Sequence, residues 1–353
     1  MPGLRVAIVG YGLSGRYFHA PLIGATDGLS VGAVVTSDPV RRAEAEADHP
    51  GVRVFGRLEE ALDDGPDLVV VAAPNTAHVA VARAAIDHGV PVVVDKPLAG
   101  TVAEAEELVD RARSAGVPLT VFHNRRWDSE QLTLRRLLGE GTLGTVSRYE
   151  SRFERWRPAP SPDRWREALS SEQGGGVLLD LGTHLVDQAL ALFGPPSHVY
   201  AEVDARRGTP GDDDAFVALR HRGGTVSHLW ASAVTAVPAA RLRVQGSKAG
   251  FEVAALDPQE NALRAGRSPR EPGWGLPGAA EYQRLVRDDQ VEAVAPEPGD
   301  WRRFYVLLRD ALTAGGPPPV EPEEGVAVLQ IIEAARRSAS DGIVVALPES
   351  GPP

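Results

Sequence analysis

Arg5-Val6-Ala7-Ile8-Val9-Gly10-Tyr11-Gly12-Leu13-Ser14-Gly15 opens the chain with an apolar run that ends in a Gly-x-Gly-x-x-Gly hexapeptide. The run reads as a buried strand, and the glycines read as a tight turn that opens a helix. In that setting the glycines let the backbone turn sharply and let a pyrophosphate approach the N–H groups at the helix N-terminus. A glycine-rich turn without a ligand is the plain alternative, because the chain holds 37 glycines.

The sequence on either side repeats one grammar up to residue 123. Further short apolar runs follow at Val31–Thr36, Val52–Phe55, Leu68–Ala73, Val90–Val94 and Leu119–Phe122. Amphipathic segments such as Ala77–His88 and Val102–Ala115 lie between them. Continuous Val/Ile/Ala strands separated by helices predict a parallel sheet covered on both faces, hence a doubly wound α/β domain over 1–123. From residue 124 the pattern changes. A helix near Glu130–Leu138, a long strand Thr145–Arg155 and a helix near Val177–Phe193 precede strands His198–Ala205, Ala215–His221, Thr225–Ser232, Leu242–Gln245 and Phe251–Val253. Tight turns join several of these strands, so residues 124–347 read as an α+β domain with a mostly antiparallel open sheet. Residues 254–280 read as irregular. Two closing helices, Trp301–Thr313 and Glu323–Ala339, and a strand Ile343–Leu347 follow, and 348–353 read as a tail.

Composition excludes several classes of function. The 353 residues carry a net charge of −11, which argues against nucleic acid as a partner. The basic, tryptophan-bearing stretch Arg148–Arg166 is interleaved with Glu150, Glu154 and Asp163, so it reads mainly as ion pairs. No apolar run approaches the roughly 18 residues of a membrane span. Cysteine is absent, which removes disulfides, thiol nucleophiles and cysteine metal sites and fits a cytoplasmic setting. No metal site is expected from the spacing of the remaining ligand-type residues.

Of 37 basic residues only two are lysine, Lys96 and Lys248. Arginine replaces lysine wherever only charge matters, but it cannot release a proton near neutral pH. Lys96 stands in Asp95-Lys96-Pro97 at the end of a predicted strand, where ligands of open parallel sheets gather. It is a candidate to bond a substrate hydroxyl and share its proton; a surface lysine closing a strand is the alternative. Asp180 and His184 share a predicted helix face with Asp187. An acid one turn before an imidazole can orient a general base, although such a pair is as often structural. At the end of the second strand, Ser37 leaves room for a ribose 2′-phosphate, and Arg41 and Arg42 can grip one. Asp38, one residue later, points the other way, toward a 2′-hydroxyl.

Together these motifs resemble the glucose-fructose oxidoreductase/inositol dehydrogenase (Gfo/Idh/MocA) family. The glycine-rich turn, Ala73-Pro74-Asn75-Thr76-Ala77-His78, Asp95-Lys96-Pro97, and Asp180 with His184 carry the resemblance in order and spacing. Phe122-His123-Asn124-Arg125-Arg126-Trp127-Asp128 and Asp163-Arg164-Trp165-Arg166-Glu167 look like the NADP-dependent scyllo-inositol dehydrogenase group. The family usually has Glu-Lys-Pro, so Asp95 is a departure. The resemblance implies an N-terminal NAD(P)-binding Rossmann domain and a C-terminal domain whose open sheet makes a homodimer or higher oligomer. It implies catalysis by Lys96, Asp180 and His184. It places Gly10, Tyr11, Gly12, Leu13, Ser14, Gly15, Ser37, Arg41, Arg42, Pro74, Asn75, His78, Asp95, Lys96, Asn124, Trp165 and Arg166 about the cofactor. Substrate contacts fall to Lys96, Asp180, His184 and the strand positions Arg155 and Arg157. The implied activity is hydride transfer between NADP, or NAD, and a secondary alcohol of a polyol or sugar. A non-catalytic nucleotide or sugar sensor of the same fold is the alternative, but it would be expected to lack the lysine or the histidine.

Overall fold

The apolar runs before residue 123 form six strands: β1 (Leu4–Val9), β2 (Leu29–Val35), β3 (Arg53–Phe55), β4 (Leu68–Val71), β5 (Val92–Asp95) and β6 (Leu119–Phe122). The computed structural model describes residues 3–161, 165–278, 282–288 and 290–348. The six strands lie in the order β3-β2-β1-β4-β5-β6, every pair parallel. Leu68–Val71 and Val92–Val94 are fully buried, which is why these strands are apolar without alternation. The strand order reverses between β1 and β4, and in such sheets ligands bind outside the carboxyl ends at that point. The glycine-rich turn follows β1 there. β5 starts two residues later than the sequence suggests, because Pro91 has no N–H for the ladder, and Asp95 is its last residue.

Nine strands form the second sheet: β7 (Val146–Glu154), β8 (Pro196–Asp204), β9 (Asp214–His221), β10 (Val226–Ser232), β11 (Leu242–Gly246), β12 (Gly250–Val253), β13 (Gln283–Arg287), β14 (Gln290–Ala293) and β15 (Val345–Ala346). Their order is β14-β13-β12-β11-β7-β10-β9-β8-β15, and only β7 and β10 run parallel. Tyr149, Ser151 and Phe153 of β7 are buried on one face, and the helix Thr183–Phe193 packs on β7 and β10. The opposite face carries a ring cluster. Phe216 lies 5.0 Å from Trp230, 5.7 Å from His228 and 6.5 Å from Tyr200, and Arg152 stacks 3.8 Å over Trp230. Arg148, Glu150, Arg243, Glu252 and Arg284 continue this face as alternating charges.

The chain divides by contacts into two units. One comprises Met1–Trp127, Gln259–Trp274 and Asp300–Val326; the other comprises Asp128–Pro258, Gly275–Gly299 and Ala327–Pro353. Segments 259–274 and 300–326, which the linear reading assigns to 124–347, thus group with the first unit. Gln259, which donates to the Trp127 carbonyl at 3.3 Å and accepts from the Trp301 N–H at 2.7 Å, ties in the first of these segments, and aromatic packing ties in the second. Phe304 meets Phe122 edge-on at 4.9 Å and Trp127 at 5.9 Å, and Trp301 meets Phe18 at 5.9 Å. The region read as irregular also holds a helix, Gln259–Arg264. Among the described residues, no helix is long and apolar enough to cross a membrane.

Candidate active site

The glycine-rich turn shows which glycines the fold needs and which it does not. Gly10 sits at φ +94°, and a Cβ there would lie 2.6 Å from the Ala72 carbonyl oxygen. A Cβ on Gly15 would overlap the Gly10 carbonyl. Both positions are fixed by close backbone approach. Gly12 differs, because the nearest atoms to a Cβ there belong to the Arg41 guanidinium, at 3.7–3.8 Å. Packing does not demand a glycine at 12. The Arg41 guanidinium beside the N–H groups of the turn is a donor set whose chemistry suits a dinucleotide phosphate.

Side chains about the turn are largely engaged with each other. Tyr11 is buried with its hydroxyl on Asp48 at 3.1 Å; burial, then the Asp48 charge, pushes that hydroxyl above its ordinary range. Its side chain is thus engaged with Asp48 and not directed at the turn's N–H groups. Ser14 Oγ donates to Asp95 Oδ2, and the Lys96 N–H donates to Asp95 Oδ1 at 2.9 Å. Burial alone would raise the Asp95 carboxyl, but His19, Ser14 and the Lys96 charge outweigh it and hold the group below the usual carboxylate range. Lys96 follows directly, half-buried, and its bond to Pro97 is cis. His78 is buried with Nδ1 2.8 Å from the Pro97 carbonyl and Nε2 3.0 Å from that of Ala73. It is a strut between the Pro74-Asn75 turn and the lysine turn, and burial pushes it below the ordinary histidine value. Pro74 is exposed, Asn75 opens a short 3₁₀ turn, and Asn124 is buried in another, Asn124–Trp127.

At the end of β2, Ser37 is exposed. Asp38 caps the helix Pro39–Asp48, accepting from the Val40 N–H at 2.8 Å and the Arg41 N–H at 3.3 Å. Its carboxylate is engaged with the helix start. Arg42 donates to the Val54 carbonyl at 2.7 Å, so of the two arginines Arg41 alone borders the glycine turn.

In the second unit, Asp180 lies in a five-residue π-turn, Leu178–Gly182, directly before the α-helix Thr183–Phe193. The wide turn replaces the simple α-helical spacing that the sequence suggests between Asp180 and His184. Asp180 is half-buried and His184 buried, its ring 6.1 Å from that of Phe153. A second π-turn, Gly15–His19, follows the glycine-rich turn. Single π-turns are rare and concentrate at functional sites, and here each adjoins a group of candidate residues. β7 ends at Glu154, so Arg155 and Arg157 lie just past the strand. Their N–H groups donate to Ser232 and Ala233, at 2.9 and 2.8 Å. Trp165 and Arg166 fall in a short helix, Trp165–Ala168, but their side chains, like residues 162–164, lie outside the described ones.

Three residues with a role at these places escape the sequence reading. Asp212 accepts from the Leu178 N–H at 2.6 Å and from Ser171 Oγ at 2.8 Å, fixing the start of the π-turn. A Cβ on Gly176 would overlap that carboxylate, which accounts for one glycine of the run 174–176. His19 and Tyr305 are buried behind Asp95. Asp212 stands in an acidic run beside Arg206 and Arg207, the one signal that hinted at more than a solvated loop. Among the described residues, no group of three His, Asp or Glu could hold a metal.

A parallel sheet ordered 3-2-1-4-5-6, with a glycine-rich turn and a guanidinium at its switch point, defines a dinucleotide-binding unit in a chain that also holds an α+β unit, the build of a nicotinamide-dependent oxidoreductase. Two family models agree: "Oxidoreductase family, NAD-binding Rossmann fold" matches residues 4–123, and "Oxidoreductase family, C-terminal alpha/beta domain" matches 135–347. The chain belongs to the Gfo/Idh/MocA oxidoreductase family. It is 37% identical to the uncharacterized oxidoreductase YdgJ of Escherichia coli K12, over 95% of this chain and 96% of that one. It is 35% identical to the scyllo-inositol 2-dehydrogenase (NADP(+)) IolW of Bacillus subtilis, over 96% and 94%. The solved structure of the oxidoreductase yvaA from Bacillus subtilis superposes with a TM-score of 0.91 at 34% identity, covering 98% of this chain and all of that one.

Proposed function

We propose that this oxidoreductase moves hydride between NADP and a secondary alcohol or carbonyl carbon of a polyol or sugar of the inositol class. The observation that carries the reading is the Ser14–Asp95 bond, which ties the glycine-rich turn to the strand end bearing Lys96, one of only two lysines. When bound, the nicotinamide supplies the hydride acceptor or donor. The chain's own part is the proton. Hydride leaves a carbinol carbon only as the hydroxyl proton is taken, and a positioned base contributes about 10²–10⁴-fold. In this reading His184 takes that proton, Asp180 orients the imidazole, and Lys96 donates to the substrate oxygen and shares its proton. In reduction the same groups return it. Arg155 and Arg157 are assigned to substrate hydroxyls, and Trp165, Arg166 and Asn124 to the nicotinamide half.

NADP rather than NAD is supported by Arg41 beside Gly12 and by the engagement of Asp38 as a helix cap. The printed name of IolW supports both cofactor and substrate class. The ring cluster and alternating charges on the second sheet's uncovered face support self-association: a second copy offers the same aromatics and a self-complementary charge ladder. A cytoplasmic setting fits a chain without cysteine.

The test is a polyol and sugar panel followed by nicotinamide absorbance with both cofactors, on wild type and on Lys96→Arg. The expected result is NADP-dependent turnover of an inositol or sugar. Lys96→Arg should lose about 100-fold or more of it while still binding nucleotide, since arginine keeps charge but cannot cycle a proton. Near-normal turnover by that variant removes Lys96 from the chemistry. Nucleotide binding with no turnover of any panel member favours the sensor.

A further inference from the structure

The run Arg206-Arg207-Gly208-Thr209-Pro210-Gly211-Asp212-Asp213, between β8 and β9, has the composition of a solvated turn, yet both aspartates are buried, Asp213 completely. Buried carboxylates need partners, and these two neighbours take different ones. Asp212 serves the segment before the helix Thr183–Phe193. Its carboxylate accepts from the Leu178 N–H and Ser171 Oγ, and its carbonyl accepts from the Val177 N–H at 2.9 Å. The loop is seated directly on that segment: a Cβ on Gly211 would lie 2.8 Å from the Gly176 nitrogen and 2.9 Å from the Leu169 carbonyl oxygen. Asp213 serves Arg207 instead. Its Oδ1 accepts from the Arg206 N–H at 2.8 Å, and its Oδ2 from the Arg207 N–H and Nε, both at 2.9 Å. The Arg207 side chain, only 5% exposed, carries the connection onward. Its Nη1 donates to the Arg157 carbonyl at 2.9 Å and to Glu167 Oε2 at 3.3 Å. The same Glu167 oxygen accepts from the Ser161 N–H at 2.8 Å.

We propose that Asp212 and Arg207, the latter held by Asp213, are positioning residues with separate tasks: Asp212 sets the π-turn that carries Asp180 ahead of His184, and Arg207 sets residues 155–161 and the short helix Trp165–Ala168. That the first group moves the proton and the second takes substrate and nicotinamide rests on the function proposed above; the two sets of bonds do not. A loop pinned only for stability needs no more than its own charges paired. Here the Arg207–Asp213 pair already closes within the loop, and Nη1 is directed at two groups outside it. Nε and Nη1 of one rigid guanidinium hold the aspartate and those two groups at fixed spacing, which the single nitrogen of a lysine cannot do. Asp212 and the Arg207 side chain are both buried, so each acts through the segment that it holds.

Amide hydrogen exchange of the full-length protein, read by peptide mass spectrometry, follows each anchor without need of a substrate. Asp212→Ala should speed exchange by about tenfold or more in peptides covering 177–184 and leave those covering 155–161 as in wild type; Arg207→Met should do the reverse. Two milder variants guard against misfolding. Ser171→Ala removes one oxygen and should move 177–184 by about threefold. Arg207→Lys keeps the charge beside Asp213 and should still loosen 155–161. Kinetics should split the same way. Asp212→Ala should lower kcat by about tenfold or more at nearly constant KM, and Asp212→Asn, which keeps an acceptor for the Leu178 N–H, should restore most of it. Arg207→Met should raise the substrate KM by about tenfold with kcat within about threefold. Exchange that rises in both segments together, or in neither, overturns the proposal. So does separated exchange with kcat and KM moving alike in the two variants. Lys96→Arg reads the function by itself: a wild type that turns over no panel member, or a Lys96→Arg variant of normal turnover, removes the proposed function, and the exchange pattern still decides the anchoring.

Discussion

Replacing Arg41 by methionine keeps the length of the side chain and removes its charge, and the consequence should appear in cofactor choice rather than in folding. A guanidinium about 4 Å from a phosphate charge interacts by about 4 kcal/mol at an effective dielectric of about 20. Arg41 is 49% exposed and already 3.6 Å from Asp38, so solvent and that pair reduce the contribution. The range for hydrogen bonds to charged groups, about 1.5–3 kcal/mol, is the realistic one. At about 1.4 kcal/mol per factor of ten, the NADP/NAD ratio of kcat/KM should fall by about 10- to 100-fold. Arg42 cannot compensate, because its guanidinium is held on the Val54 carbonyl. Raising salt should shrink the wild-type preference but not that of the methionine variant, since the contact is exposed. The assay is steady-state kcat/KM with both cofactors on one substrate, with Ser37→Asp as the companion that should push the ratio the same way. A wild-type preference for NAD, or a ratio that moves by less than about threefold in Arg41→Met, refutes the reasoning.

Three further outcomes are expected. Gly15→Ala forces a methyl onto the Gly10 carbonyl and should cost about 1–3 kcal/mol, read as a melting temperature lower by several degrees. Gly12→Ala should melt normally yet bind nucleotide more weakly; equal melting losses in the two would show that Gly12 is only a packing glycine. Glu130 is buried beside Asp128 and Asp257, and burial first, then those charges, pushes its carboxyl up to about 8 against the pull of Arg241. The folded state thus holds a proton that the unfolded chain has lost, so stability falls as pH rises from about 4.5 to about 8. Glu130→Gln should flatten that decline and gain on wild type toward pH 8 in melting experiments; a gain confined to acid would reverse the sign and refute it. Light scattering at micromolar concentration should give a dimer or larger, and Trp230→Glu on the uncovered face should lower the mass; a monomeric wild type excludes the proposed interface.

Sequence reading reaches the fold because hydrophobic period is a local property. β1, β4, β5 and β6 are apolar without alternation as both faces are covered, and β7, β9 and β10 alternate because their faces differ. β13 and β14 were not legible: they are short, β13 joins the sheet through β12, which is distant in sequence, and β14 is an edge strand exposed throughout, so it carries no apolar period. The glycine-rich turn and the lysine turn could be read because each is contiguous. His19 and Tyr305 could not, since the relation between them spans 286 positions and a lone buried histidine has no local signature. For Asp38 the reading turned on one residue of register, and what sequence did not show is that its carboxylate caps the helix Pro39–Asp48.

The first unit is assembled from three stretches of chain, the last ending at Val326. On the ribosome, Leu4–Phe122 emerges early, but the residues that close its aromatic cluster, Trp301, Phe304 and Tyr305, are translated much later. At about 5–20 residues per second the nascent sheet waits about 10–40 s with Phe122 and His19 lacking their cover. A gene cut after residue 123 makes that waiting state permanent. Exchanging cofactor specificity with a relative by splicing at that point therefore transplants an unfinished unit, and a working chimera has to carry all three stretches together.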